Sequence, residues 1–132
     1  VLANHEHAGQ IETFYNRARA SFASNDWQNC EMLLLKLLSL ETDFAHAHYL
    51  LGKTHQKLGR LDAARLHLQS ATDMDANPTR VVSWQNEAIR RFCSENDIPL
   101  ADSLKAMEAV SPGGIIGTNL IWDNVHPRLE AF

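Results

Sequence analysis

From residue 8 to residue 95 the apolar positions recur at spacings of three and four, the period of an amphipathic α-helix. The pattern predicts helices near 8–24, 27–41, 44–58 and 61–75. A fifth runs from about 79 to 95, with Val81, Trp84, Ala88, Ile89 and Phe92 at helical spacing. Pro78 suits its start, and Asn96, Asp97 and Pro99 end it. The Leu-rich run Met32–Leu40, interrupted by Lys36 and Ser39, reads as the core stripe of the second helix. After Asn96 the period changes. Ile98–Asp102, "IPLAD", resembles a buried strand more than a helix. Ser103–Ala109 suits a brief helix, and Ser111–Gly117, "SPGGIIG", is a turn region. The expected fold is all-α: antiparallel helix pairs in residues 8–95 and a less regular C-terminal extension, 96–132.

The first four helices repeat. "ASNDWQNCEMLLLKLLSLET" (Ala23–Thr42) lies over "KLGRLDAARLHLQSATDMDA" (Lys57–Ala76) without a gap, at an offset of 34 residues (59 − 25). Asn25 falls on Gly59, Cys30 on Ala64, Leu34 on Leu68 and Leu37 on Ala71. Such a period points to a two-helix repeat. Ala45–Pro78 resembles the tetratricopeptide repeat in Leu51-Gly52, in the turn glycine Gly59, in the small residues Ala64 and Ala71, and in Leu68 between them. Small residues at Gly52, Ala64 and Ala71 let two helices approach closely. Gly59 accepts the left-handed conformation that ends a helix, and Asn25 is a second choice for it. The copy departs from the family at His48 and His55, where aromatics are usual, and at Ala76, where a proline often stands. The resemblance implies repeats near 10–43 and 44–77, with the helix at 79–95 as a cap, since two repeats are fewer than a stable stack usually needs.

Composition narrows the function. The net charge of −4 comes without a Lys/Arg cluster, which speaks against nucleic acid. No run is long enough to span a bilayer. No signal peptide is visible, which favours the cytoplasm, although the chain begins at Val1 and reads as a fragment of a larger protein. Cys30 and Cys93 have no metal-like spacing and read as reduced, buried thiols.

Among seven histidines, His46 and His48 point to different sides of a helix, and His5 and His7 lie in a polar N-terminus. His48 and His55 share a face, but no carboxylate or cysteine completes a metal set there, so no metal and no cofactor are expected. If the repeats bind a protein or peptide, the first helices line the groove, near Asn16, Arg17, Arg19 and Ala20, then His48, Lys53, His55 and Gln56. Arg17, Arg19 and Lys53 suit an acidic or carboxylate-bearing ligand; the competing reading is a solvated polar face. A Leu-rich end left exposed on so short a stack would favour self-association.

The C-terminal segment carries a second resemblance. The order "NEAIRRFCSEND", "IPLAD", "SPGGIIG" and "DNVHP" looks like the end of the SGNH/GDSL hydrolases, serine esterases and acyl hydrolases whose last block is Asp-x-x-His, often followed by Pro. The resemblance covers roughly Val81 to Phe132 and makes His126 the general base and Asp123 its orienting acid. A serine hydroxyl needs such a base, and a carboxylate fixes the imidazole's orientation. The family's Gly-Asp-Ser nucleophile block is absent, and so are its oxyanion-hole blocks. Without them the chain alone is not expected to be catalytic. The alternative for Asp123 and His126 is a capped turn, with Asp123 opening a short helix near Asn124.

Overall fold

The structure is a computed structural model that describes residues 7–78, 81–123 and 126–128. Among these residues it contains six α-helices and no strand: α1 (Ala8–Ala23), α2 (Trp27–Leu40), α3 (Ala45–Lys57), α4 (Leu61–Asp73), α5 (Ser83–Glu95) and α6 (Ser103–Val110). A short 3-10 turn at Pro112–Gly114 follows. The chain divides into two compact units, residues 1–75 and 76–132.

In the first unit each helix packs on the next: α1 on α2, α2 on α3 and α3 on α4. The core consists of Ile11, Ala18, Cys30, Leu33, Leu34, Leu37, Ala47 and Leu51, flanked by Phe14, Tyr15, Phe22 and Phe44. Removing these apolar side chains from water stabilises the unit, at about 1.5–3 kcal/mol for each large one fully buried. Leu33, Leu34 and Leu37 turn inward, while Met32 and Leu35 of the same run face solvent. A Cβ on Gly52 would stand 2.7 Å from Leu68 Cγ and 3.1 Å from the Ala64 carbonyl. The close approach of α3 and α4 therefore depends on the missing side chain.

The turns after α1 and α3 are built alike. Asp26 N–H donates to Ser21 O and Arg60 N–H to His55 O, both at 2.9 Å. Asn25 N–H donates to Phe22 O and Gly59 N–H to Gln56 O, both at 3.2 Å. Asn25 has φ 62° and Gly59 φ 73°, so the aligned residues share the left-handed conformation. Each turn uses the paired bonds that satisfy the last carbonyls of a helix. Asp26 then opens α2, its side chain accepting from Asn29 N–H at 3.2 Å.

The second unit, taken by itself, is thinly buried. No residue of α5 or α6 is buried; Val82, Ser111 and Leu120 are. Arg90 donates to both carboxylate oxygens of Asp102, at 2.7 and 3.3 Å, and to Glu87 at 2.6 Å. Asp102 also accepts from Lys105 N–H and so opens α6. The Arg90 guanidinium and this backbone donor hold the Asp102 carboxyl below its usual range.

Several expectations need correction. Ile98–Asp102 is not a buried strand: Ile98 and Leu100 are exposed, and no strand among the described residues receives them. The segment is an extended connector fixed by the left-handed residue Asp97 (φ 54°) and by Ile98 N–H bonding back to Cys93 O. The fifth helix begins at Ser83, where Gln85 Oε1 accepts from Val82 N–H, rather than next to Pro78; Thr79 and Arg80 lie outside the described residues. The division between the compact units falls after Asp75, which groups α5 with the C-terminal residues. Cys30 is buried, but Cys93 only half so.

Candidate functional site

Two places carry the residues singled out from the sequence, one in each unit. In the first unit the six candidate binding residues separate into two groups. Arg17 and Arg19 are exposed on α1, as are their neighbours Asn16 and Ala20, and Lys53 and Gln56 are half-buried on α3. These four candidates remain open to a ligand. His48 and His55 turn inward and are buried. They contact α4 and α2 and have no place on an open groove wall.

What they meet there was not anticipated. His48 Nδ1 lies 3.0 Å from His67 Nδ1 on α4, and His48 Nε2 lies 2.9 Å from the Thr42 carbonyl. His55 Nε2–H donates to Glu31 Oε1 on α2 at 3.0 Å. Arg60 donates to the same oxygen at 2.7 Å. The His67 ring stands 5.2 Å from that of His48 and 5.3 Å from that of His55. Glu31 is thus a carboxylate partner for His55 that the sequence did not reveal, contributed by a preceding helix. His67 was the more legible of the two. It lies between Ala64 and Ala71, on the stripe of α4 expected to face α3. Among the described residues no group of three or more His, Cys, Asp or Glu has the geometry to hold a metal ion.

An open apolar groove lies along α2, lined by Gln28, Glu31, Met32, Leu35, Lys36 and Ser39. It is not the first-helix groove that the repeat pattern suggests. Among the described residues no helix is long and apolar enough to cross a membrane.

In the second unit Asp123 and His126 meet. Asp123 Oδ1 accepts from His126 N–H at 2.9 Å, and Asp123 Oδ2 lies 2.8 Å from His126 Nδ1. Because a carboxylate accepts, Nδ1 carries the hydrogen, leaving Nε2 on the far edge of the ring. An antiparallel bridge between Ile121 and Pro127 closes the loop; Trp122 N–H donates to His126 O and Arg128 N–H to Leu120 O. Arg128 also lies over the Trp122 ring at 5.0 Å. The His126 side chain is 73% exposed and that of Asp123 48%. Asn124 and Val125, where a helix opened by Asp123 was expected, lie outside the described residues. No serine, threonine or cysteine is hydrogen bonded to His126 among the described residues.

No protein-family model, curated protein or solved structure matches this chain. The chemistry of the two places therefore has to be read from their own geometry.

Proposed function

We propose that the chain is a protein- or peptide-interaction module of the tetratricopeptide kind, working through the first-helix side of its N-terminal unit. The observation that supports this reading is the bonding repeated at a 34-residue offset in the turns after α1 and α3 (59 − 25), with Asn25 and Gly59 both left-handed. Repeated helix pairs expose equivalent faces side by side, and here those faces carry Arg17, Arg19, Lys53 and Gln56. Guanidinium groups recognise carboxylates through paired hydrogen bonds, so an acidic peptide or a free C-terminal carboxylate is the ligand class. The test is a fluorescence-anisotropy titration with labelled acidic peptides, each made with a free and with an amidated C-terminus. Specific, salt-sensitive binding is expected, and its loss on charge reversal at Arg19 and Lys53 locates it. Binding that ignores both the reversal and the peptide's charge overturns the reading.

One observation favours a second reading. The 2.8 Å contact between Asp123 Oδ2 and His126 Nδ1 is the arrangement by which a carboxylate orients a general base. In this reading the segment is the C-terminal piece of an SGNH/GDSL-type acyl hydrolase whose nucleophile is supplied elsewhere. Hydrolysis of a short-chain aryl ester by this chain and by His126→Ala should then be equally negligible. Turnover lost in the variant would show that the chain holds its own nucleophile.

A further inference from the structure

We propose that His67, set between His48 and His55, is a proton-operated latch on the α3–α4 helix pair, closed at neutral pH and released in mild acid. The Thr42 carbonyl can only accept, so His48 Nε2 carries a hydrogen. A nitrogen–nitrogen contact of 3.0 Å holds one hydrogen; a neutral His48 that carries its hydrogen on Nε2 has a bare Nδ1, so His67 Nδ1–H donates to it. Both Nδ1 atoms therefore cannot be protonated together. Doubly charged, the two rings would set N–H against N–H across the helix interface.

The third ring tightens the constraint. His55 Nδ1 is buried without a hydrogen-bond partner. Its other nitrogen is already committed to Glu31. His55 therefore offers no hydrogen bond to the His67 ring, which it faces at 5.3 Å. Glu31 does not relieve the cluster alone, because Arg60 donates to the same oxygen. The other titratable neighbour from α2 is the Cys30 thiol, which shares a hydrogen bond with Thr54. Burial pushes that thiol up, away from the charged form, with Asp26 adding to the shift and the Thr54 bond opposing it. From α1, Tyr15 stands against Phe44 and His46.

The direction of the effect follows from linkage. Burial first, and then the charges of His48 and His55, hold His67 below its ordinary 6.5. The unfolded chain thus binds a proton at His67 before the folded one does. The stability tied to the neutral ring is fully present above pH 6.5 and is lost as the pH falls through the lowered folded value. The inference does not depend on the proposed ligand class.

The experiment uses the full chain. Its thermal midpoint, followed by circular dichroism, should fall by about 5 °C or more between pH 7.5 and pH 5.5. His67→Asn keeps an N–H donor toward His48 but cannot take up a proton, and should remove at least half of that fall. A variant that folds and keeps the wild-type pH dependence overturns the latch. If the variant does not fold, histidine ring resonances of the wild-type protein decide the matter. A His67 midpoint below 6.5, with α3 and α4 amides shifting in step, supports the latch. Titration as an ordinary solvent histidine, with those amides unmoved, overturns it.

Discussion

From Ala8 to Asp73 four helices share a core in which Leu33, Leu34, Leu37 and Leu51 are almost wholly hidden, whereas α5 and α6 hide no residue fully. Both regions have apolar residues at helical spacing. In the first unit small residues stand where helices cross, Ala18, Gly52, Ala64 and Ala71, so that large neighbours interlock. In the second, Trp84, Ile89 and Phe92 lie exposed on α5, and Arg90 of α5 is ion-paired with Asp102, which opens α6. A period of three and four produces a helix, while close packing also needs small residues at defined places.

Core substitutions should break the comparison most sharply. Leu34→Ala removes a side chain with no exposed surface and should cost about 2–5 kcal/mol in urea unfolding. Ala64→Trp, at an equally buried site, should abolish the helical circular-dichroism signal of the first unit or lower its melting temperature steeply. Retention of the wild-type midpoint in either variant would contradict the described core. Gly52→Val ranks next. Its Cβ would meet Leu68 Cγ at 2.7 Å, and an overpacking cost of about 1–3 kcal/mol is expected in the same measurement. A smaller contrast compares the two turns. Gly59→Ala, at φ 73°, should cost about 1 kcal/mol, while Asn25→Gly, at φ 62°, should be neutral or slightly stabilising by differential scanning calorimetry. The smallest effect lies in the second unit. Trp84→Ala, at a residue 69% exposed, should change stability by less than about 0.5 kcal/mol in urea unfolding. A cost comparable to that of Leu34→Ala would show that α5 buries its apolar stripe against a partner.

Much of the first unit was legible because its signals agreed. The 34-residue offset placed Asn25 over Gly59 (59 − 25), and both have positive φ. The small residues marked where α3 meets α4. The second unit was harder, because its signals were local. "IPLAD" has the composition of a buried strand, but strand burial depends on neighbours that the described residues do not supply, and it is an exposed connector. The same distinction divides the candidate sites. Asp123 and His126 are three residues apart, so their contact needs only a turn. His48 and His55 looked like groove residues because their common face was visible and its partners were not. Glu31 and His67 reach them from other helices, and no spacing within α3 encodes those contacts.

The proposed function rests on the exposed charges of the first unit and gives the Asp123–His126 pair no role in binding. One titration tests this most directly: a labelled acidic peptide against the wild-type chain, the Arg19→Glu, Lys53→Glu double variant, and His126→Ala. The double variant should lose affinity by about tenfold or more. His126→Ala should bind as the wild type does. Unchanged affinity in the double variant, or loss confined to His126→Ala, would contradict the proposed function.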